Sequence, residues 1–309
     1  MKNINNVVLC GLGSIGCVCA VPIFESIGDK FKILVDEARL KRYKENPTIF
    51  NGKEYDFNYI TPDETNFKAD LVIIATKHDG LKTAIKELKN FVTEDTIIIS
   101  LLNGIGSEEE IAEVYNAKNI PLAFYIGESG IRQGRSITQC GIYNIVMGAG
   151  EHTDKNIMPI ISEFFDITGV HYQIPSNMLE EYWKKFMINV GINQICATEN
   201  ISLKEVKKDE KLVLKLKNLI GEVKEIAKAR GIKNYQKIND EALKFLLVDL
   251  EDALPSMLQD VMAKKNTEVD IFAGKIIELG KKYNIPIPEN SAIYEKISKI
   301  QNEYLLSKV

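Results

Sequence analysis

Short, continuous apolar runs alternate with amphipathic stretches over the first half of the chain. The apolar run at 5–10 precedes a helical pattern at 14–27, and further apolar runs lie at 31–36, 69–75 and 96–100. Strands that are apolar throughout and separated by helical patterns are typical of a parallel sheet with helices on both faces. The pattern therefore predicts an α/β domain. It continues with helices over 81–91, from 107 and over 154–168, and with strands over 120–127, 141–148 and 171–174.

The pattern changes near Ser176, where long helical periodicities replace the strand signal. Helices are expected over 178–198, 202–230, 236–248, 256–283 and 290–306. Pro286 and Pro288 interrupt the chain before the last of these. The sequence therefore predicts two domains, an α/β domain over 1–176 and an all-helical domain over 177–309.

The first strand ends in G-x-G-x-x-G, formed by Gly11, Leu12, Gly13, Ser14, Ile15 and Gly16. Glycines at this spacing permit a tight turn, a close approach to a pyrophosphate and close packing of helix on strand. The N-terminus of the following helix offers free N–H groups to phosphates. The motif predicts a bound dinucleotide, NAD(P) rather than FAD because the short chain offers no obvious room for an isoalloxazine ring. The alternative is a glycine turn that serves packing only.

Composition narrows the class of partner. The chain is 45% hydrophobic and 27% charged, with a net charge of −4, so neither a nucleic acid nor a membrane surface is indicated. No apolar run reaches the roughly 20 residues of a membrane span. Five cysteines, an odd number, suit a reducing cytoplasm, as does a chain that enters its first strand directly. Cys10, Cys17 and Cys19 cluster, but their positions favour small buried side chains over a metal site, and no metal is expected.

Three polar residues recur at helical spacing in the second half. Lys185, Asn189 and Asn193 follow i, i+4, i+8 and fall on one side of a helix whose other residues are mostly apolar. Polar groups on a buried helix need partners. They are either satisfied core amides with a snorkelling lysine, or a lysine general acid whose pKa is lowered by burial, beside two amides that orient a substrate.

Four other residues are candidates with a structural alternative. Ser256 fits a helix N-cap in an S-x-x-Q capping box, and a helix start can also bind a carboxylate. Glu268 lies further along the same predicted helix, where most glutamates are solvated. Asn103 and Lys77 follow strands, where ligands of open α/β sheets bind, although a turn asparagine and a solvated lysine are the alternatives.

Together these segments resemble the ketopantoate reductase family (2-dehydropantoate 2-reductases) over essentially the whole chain. The most specific segments are W-K-K-x-x-x-N-x-x-x-N at 183–193 and S-M-L-Q-D at 256–260. T-E-V-D at 267–270 and P-x-P-E-N at 286–290 add to them, as do Asn103-Gly104 and Thr76-Lys77 in order and spacing. The resemblance implies a Rossmann domain joined to a helical domain like that of 6-phosphogluconate dehydrogenase, with a homodimer in some relatives.

The resemblance also implies residue roles. Lys185 matches the general acid that protonates the substrate carbonyl, and Glu268 the acid that pairs with the substrate hydroxyl or with that lysine. Asn189, Asn193 and Ser256 match the residues that hold the substrate. In the first domain, the six residues of the glycine motif match the pyrophosphate turn, with Asn103 beside the nicotinamide and Lys77 near the adenosine ribose. Gln194 and Pro255 depart from the family pattern, which leaves the exact 2-keto acid in doubt.

The nucleotide is a separate question. The second predicted strand ends at Asp36, and an acid there normally binds the ribose hydroxyls of NAD. The family usually has a basic residue at that point and uses NADP, and a cationic cluster that includes Arg39 follows at once. NADPH is therefore the expected nucleotide, with NAD left open by Asp36.

These features predict NADPH-dependent reduction of 2-dehydropantoate to pantoate, in pantothenate and coenzyme A biosynthesis. A reductase of another 2-keto acid or of an imine is the alternative enzyme. A non-enzymatic NAD(P)-binding regulator is the alternative outside catalysis, but a sensor needs no buried proton donor such as Lys185.

Overall fold

The computed structural model describes residues 3–127, 130–139 and 141–306. The chain divides into two compact units, Met1–Met178 and Leu179–Val309. In the first unit the strands are β1 Val7–Cys10, β2 Phe31–Leu34, β3 Thr48–Phe50, β4 Lys53–Tyr55, β5 Tyr59–Ile60, β6 Leu71–Ile74, β7 Ile97–Ser100, β8 Leu122–Gly127, β9 Ile131–Gln133, β10 Ser136–Thr138, β11 Tyr143–Gly148 and β12 Tyr172–Gln173. Its helices are α1 Ser14–Ile27, α2 Glu37–Glu45, α3 Leu81–Glu87, α4 Ser107–Ala112 and α5 Ile157–Thr168.

Five parallel strands form the central sheet of the first unit, in the order β5-β2-β1-β6-β7. Successive side chains of β1 point to opposite faces. Val7 and Leu9 enter one buried cluster, whereas Val8 and Cys10 enter the cluster on the other face. Both faces of the sheet are therefore covered, which is why its strands are apolar throughout.

The direction in which successive strands are added across the sheet reverses next to β1. The chain runs from β1 outward to β2 and β5, then returns to β6 on the other side. Because all five strands are parallel, their carboxyl ends lie on one edge, and the crevice between β1 and β6 at that edge is the place where such sheets bind ligands.

Two small sheets, β4-β3-β10-β9 and β12-β11-β8, complete the unit. The apolar runs of the sequence predict β8, β11 and β12 but not β3, β4, β9 and β10. An Asn51-Gly52 turn with positive φ at both residues joins β3 to β4. Asn-Gly is the strongest short-range hairpin signal, so this pair could have been found.

The second unit is helical in the part that the structure describes. Its helices are α6 Met178–Glu199, which starts at the last residue of the first unit, α7 Leu203–Val206, α8 Glu210–Ala229, α9 Tyr235–Lys244, α10 Ser256–Met262, α11 Ala273–Tyr283 and α12 Pro288–Leu306. A π-helical turn, Phe245–Asp249, extends α9. The predicted fold class, a Rossmann-type sheet domain followed by a helical domain, is confirmed.

Two of the predicted long helices are wrong because each one is broken. The helix expected over 202–230 stops at Val206, and Asp209 caps a new helix by accepting the N–H of Lys211 at 2.8 Å. The helix expected over 256–283 ends at Met262, and Lys264 just beyond it has a positive φ. Helical periodicity alone does not report such breaks. No helix within the described residues is both long and apolar enough to cross a membrane.

Candidate functional site

The three motif glycines differ in what surrounds the missing side chain. Gly11 has a φ of +98°, and a Cβ there would lie 2.6 Å from the carbonyl oxygen of Ala75. A Cβ on Gly16 would lie 2.0 Å from the carbonyl oxygen of Gly11. A Cβ on Gly13 would meet no atom within 4 Å. The conformation and packing of the turn therefore require glycine at positions 11 and 16. At Gly13 the backbone has open space beside it, which would allow a pyrophosphate to approach closely.

The other residues of the glycine loop are held by core packing and by a hydrogen bond. Leu12 is buried in the core, and Ile15 packs against the same cluster. Gly13 is the N-cap of α1 and supplies no side chain to cap it, so the first N–H groups of the helix remain for an anion. Ser14 donates its hydroxyl to the carbonyl oxygen of Gly130 at 3.0 Å. The residues of the loop thus fit a bound phosphate.

The other candidates of the first unit follow strands at the same edge of the sheet. Asp36 lies just after β2, Lys77 after β6 and Asn103 after β7. Lys77 is exposed and Asn103 is half-buried. The parallel topology therefore brings these three side chains to the edge that carries the glycine loop.

Asp36 is already engaged. Its carboxylate caps α2 by accepting the N–H of Arg39 at 2.6 Å, and it pairs with the guanidinium Nε of Arg39 at 3.5 Å. Arg39 is one of the basic residues expected to hold a 2′-phosphate. In this structure it is drawn to the acid instead.

A buried polar contact closes the loop that carries Asn103. Ser100 ends β7 and Ser107 begins α4, and their hydroxyl oxygens lie 2.8 Å apart. Ser107 also donates to the carboxylate of Glu108 at 2.9 Å. This contact could not be predicted from the sequence, because serines at these positions carry no periodic signal.

Lys185 lies on α6 and is partly buried. It makes no ion pair within the described residues, and burial lowers its pKa to about 8. The neighbouring Lys184 differs: its ammonium pairs with Glu181 at 2.6 Å and with Glu241 at 3.4 Å. These carboxylates outweigh its burial and raise its pKa. Of these two adjacent lysines, Lys185 is the one whose pKa is shifted towards neutral pH.

Two amides follow Lys185 along the same side of α6. Asn189 and Asn193 are both buried. The Oδ1 atom of Asn193 accepts hydrogen bonds from Ser256 Oγ and from the backbone N–H of Met257, each at 3.1 Å. The structure therefore brings Asn193 and Ser256 together, as a shared substrate site requires.

The capping box expected at Ser256 is wrong. Pro255 is the N-cap of α10 and Ser256 is its first helical residue. The hydroxyl of Ser256 donates to Asn193, while the amide of Gln259 donates to the carbonyl oxygen of Leu254 at 2.8 Å. A tertiary partner thus takes the hydroxyl that the local pattern assigns to a cap.

Glu268 does not lie on a helix, contrary to the sequence-based expectation. It is half-buried in the segment between α10 and α11 and precedes the short 3₁₀ turn Val269–Ile271. It belongs to the same unit as Lys185, but the lowered pKa of Lys185 has burial as its cause and no carboxylate partner.

Gln194 departs from the family pattern, and it points into the core. It is fully buried, and its amide donates to Asn290 at 3.0 Å and to the carbonyl oxygen of Val190 at 2.9 Å. Its oxygen accepts the N–H of Ala273 at 2.9 Å. Although it is adjacent to Asn193 in sequence, Gln194 bonds to α11 and α12 and does not lie on the side of α6 that carries Lys185 and Asn193.

The clustered cysteines are buried, which disfavours the reactive thiolate form. Burial raises the pKa of Cys17 and Cys19 to about 12, and that of Cys10 further, so the thiols stay protonated. Over the described ranges no group of three or more potential ligands is arranged to hold a metal ion.

The two units therefore carry different chemistry. The first has an open glycine turn at a helix N-terminus, which is suited to a dinucleotide. The second has a lysine with a depressed pKa, two buried amides and a hydroxyl, which are suited to a small polar substrate with a carbonyl group. This combination is that of an oxidoreductase.

Comparison with known proteins identifies the family. The ketopantoate reductase PanE/ApbA model matches residues 7–152, and the ketopantoate reductase PanE/ApbA C-terminal model matches residues 177–301. The chain belongs to the ketopantoate reductase family.

Individual relatives agree with this family. A 2-dehydropantoate 2-reductase from Pyrococcus horikoshii is 30% identical over 235 residues, 74% of each chain. The structure of D-mandelate dehydrogenase with NADH and anilino(oxo)acetate is similar with a TM-score of 0.85 at 20% identity, covering 97% of this chain and 99% of that one. A dimeric ketopantoate reductase from Staphylococcus aureus has a TM-score of 0.75 at 20% identity, with the same coverage. At such identity the two structures establish the fold alone.

Proposed function

We propose that this protein reduces 2-dehydropantoate to pantoate with NADPH, as a step of pantothenate and coenzyme A biosynthesis. The observation that carries the proposal is the ridge of Lys185, Asn189 and Asn193 on α6, with the lysine pKa lowered to about 8 by burial. A lysine poised in this way is a competent general acid, and it is not needed by a nucleotide sensor.

The chain's own residues divide the work. Lys185 polarises the carbonyl oxygen of the keto acid and gives it a proton. Asn189, Asn193 and Ser256 bind and orient the substrate, and Glu268 holds the substrate hydroxyl or fixes the rotamer of Lys185. When bound, the nicotinamide supplies a hydride to the carbonyl carbon. Asn103 would hold the nicotinamide end of the nucleotide, and Lys77 would lie near its adenosine ribose.

The glycine loop supports nucleotide binding by its shape. Gly13 leaves the space where a pyrophosphate would lie, and the N-terminus of α1 faces it with free N–H groups. NADPH is the nucleotide proposed from the family. The Asp36–Arg39 pair predicts that NADH is used as well, because it engages a cation that a 2′-phosphate needs and offers a carboxylate to a ribose hydroxyl.

A reductase of another 2-keto acid is the second candidate. The similarity to D-mandelate dehydrogenase in complex with NADH and anilino(oxo)acetate favours it. The departure from the family pattern at Gln194 does not favour this second candidate, because Gln194 faces the core and not the proposed substrate residues.

The decisive assay follows oxidation of NADPH and of NADH with 2-dehydropantoate and a panel of 2-keto acids. Turnover that is fastest with 2-dehydropantoate supports the proposal. Faster turnover with another keto acid selects the second candidate, and nucleotide binding without any turnover contradicts both.

We also propose a homodimer in the cytoplasm. The dimeric state of the Staphylococcus aureus relative supports the first part. The thiols of Cys10, Cys17, Cys19 and Cys196 are unpaired, as a reducing compartment requires. Sedimentation equilibrium of the purified protein tests the dimer, and cell fractionation tests the location.

A further inference from the structure

A hairpin formed by β9 and β10 lies against the glycine loop. Gly130, the residue just before β9, accepts the Ser14 hydroxyl at its carbonyl oxygen. The hairpin itself contacts the loop through Arg132, whose Nη1 atom donates to the carbonyl oxygen of Leu12 at 3.4 Å. Leu12 lies between the first two glycines of the motif, so the guanidinium of Arg132 is placed at the turn itself.

Local contacts fix the orientation of this guanidinium. Its Nε atom donates to the carbonyl oxygen of Gly134 at 3.0 Å, in the turn of the hairpin. These two bonds use only part of the five N–H donors of an arginine. The side chain is exposed, and its two hydrogen-bond partners within the described residues are carbonyl oxygens rather than carboxylates. An unneutralised guanidinium with donors to spare therefore lies beside the loop.

The positive charge of Arg132 acts on Cys17, which lies in the first turn of α1. Arg132 acts to lower the pKa of Cys17, against the larger opposing effect of burial. That turn is where the N–H groups of the glycine motif face an anion. The partial positive charge of a helix N-terminus is about half an elementary charge, whereas a dinucleotide pyrophosphate carries two negative charges. The backbone alone leaves that charge incompletely balanced.

We propose that Arg132 is a pyrophosphate-binding residue, which reaches from the β9–β10 hairpin to the dinucleotide held by the glycine loop. Guanidinium groups bind phosphate oxygens through charge-assisted and often bidentate hydrogen bonds. The proposal rests on the proposed function only in that a dinucleotide binds at this loop. It adds a charged side chain to a site that the motif assigns to backbone groups.

The same hairpin offers a matched control. Arg135 pairs with Glu54 at 3.3 Å and donates to the carbonyl oxygen of Pro47 at 3.3 Å, so its charge is neutralised elsewhere. Arg132→Ala and Arg135→Ala remove the same group from the same element. Arg132→Lys keeps the charge but loses the planar fork.

The test measures the dissociation constants of NADPH and ADP-ribose by calorimetry. The dissociation constant of adenosine, which lacks the pyrophosphate, is measured from its competition with NADPH at millimolar concentrations. We expect Arg132→Ala to weaken NADPH and ADP-ribose about tenfold to a hundredfold, since a hydrogen bond to a charged group is lost. Adenosine should bind as before, and Arg132→Lys should fall between. The dependence of log Kd on log salt concentration should also become shallower for Arg132→Ala but not for Arg135→Ala.

Two results overturn the inference. Either Arg132→Ala binds NADPH as Arg135→Ala does, or it weakens adenosine and ADP-ribose by the same factor, which would mean that Arg132 only braces the loop. Circular dichroism and the thermal midpoint of each variant establish that the loss does not come from unfolding. Wild-type protein that binds nucleotide but turns over no keto acid would contradict the proposed reaction while leaving this inference intact.

Discussion

The Oδ1 atom of Asn193 accepts two hydrogen bonds, from the hydroxyl of Ser256 and from the backbone N–H of Met257, each at 3.1 Å. The backbone N–H can only donate, so an oxygen must face it and the orientation of the amide is determined. Because Oδ1 is occupied, the amide nitrogen of Asn193 is the group that can donate to a substrate. One amide thus joins α10 to the polar ridge of α6.

Ser256→Ala is expected to raise the KM for the keto acid about tenfold, the effect of one lost hydrogen bond. The fold should be kept because Ser256 is exposed. Steady-state kinetics at saturating nucleotide measure this effect. Ser291→Ala is the control, since its hydroxyl bonds the carbonyl oxygen of Ile287, just before α12, and lies apart from the polar residues of α6 in sequence. An unchanged KM in Ser256→Ala would remove this residue from the substrate site.

Lys185 should control the pH dependence of the reaction. A general acid must be protonated, so kcat/KM for reduction should fall as the pH rises through about 8, the pKa that burial gives this lysine. Lys185→Ala should lower kcat by about a hundredfold or more, with the Kd of the nucleotide nearly unchanged. Lys184→Ala is the control because that ammonium is neutralised by Glu181 and Glu241. Near-normal turnover in Lys185→Ala would contradict the assignment.

The same pKa makes a prediction about stability. In the unfolded chain the pKa of this lysine returns to its ordinary value of 10.5, so between pH 8 and 10.5 the unfolded state binds more protons. The contribution of Lys185 to the free energy of unfolding should therefore rise with pH in that window. Below pH 8 the cost of burying the charge is present in full. Urea unfolding of wild type and Lys185→Met across this range would show whether the difference between them shrinks as the pH rises.

Much of the fold could be predicted from sequence because its strands are apolar on both faces. The central strands β1, β2, β6 and β7 and the helix α1 follow directly from apolar runs and the glycine turn. The breaks within 202–230 and 256–283 could not be predicted in this way. A helical period continues through a capped break, and only a local capping side chain such as that of Asp209 marks its position.

The candidate site was predictable only as a set of positions. Spacing places Lys185, Asn189 and Asn193 on one side of α6, and the parallel topology gathers Asp36 and Asn103. Which atoms meet depends on tertiary packing. The partner of Ser256 is Asn193 rather than its own helix end, and Gln194 faces away from its sequence neighbour because one helical step rotates a side chain by about 100°.

Gln194 should matter for stability rather than for substrate choice. Gln194→Leu removes the buried partner of the Ala273 N–H and of the Asn290 side chain, at a cost of about 3 kcal/mol in the free energy of unfolding. Thr198→Val is the control, because that hydroxyl bonds only a carbonyl oxygen of its own helix, at 2.6 Å, and should cost about 1 kcal/mol or less. Urea denaturation compares the two. Equal losses would show that the network contributes little.

Asp36 should determine how strongly the protein disfavours the 2′-phosphate that distinguishes NADPH from NADH. Asp36→Asn keeps an N-cap for α2 but removes the negative charge and releases Arg39 from its ion pair. The ratio of the NADPH Kd to the NADH Kd should fall about tenfold, since a like charge no longer faces the 2′-phosphate. Titration of nucleotide fluorescence measures both constants. Glu45→Gln removes a charge from the far end of the same helix and should leave the ratio as it is. A similar ratio in all three proteins would exclude Asp36 from the ribose site.

The glycine loop allows packing and ligand binding to be separated by single methyl groups. Gly13 has an ordinary φ of −92° and open space around its missing side chain, so Gly13→Ala should fold with an unchanged thermal midpoint. It should nonetheless weaken NADPH by about tenfold or more, because the methyl group occupies the space of the pyrophosphate. Gly16→Ala should instead lower the thermal midpoint, since its Cβ would overlap the carbonyl oxygen of Gly11. If Gly13→Ala bound NADPH as tightly as wild type, the turn would be a packing device and the nucleotide would have to bind elsewhere.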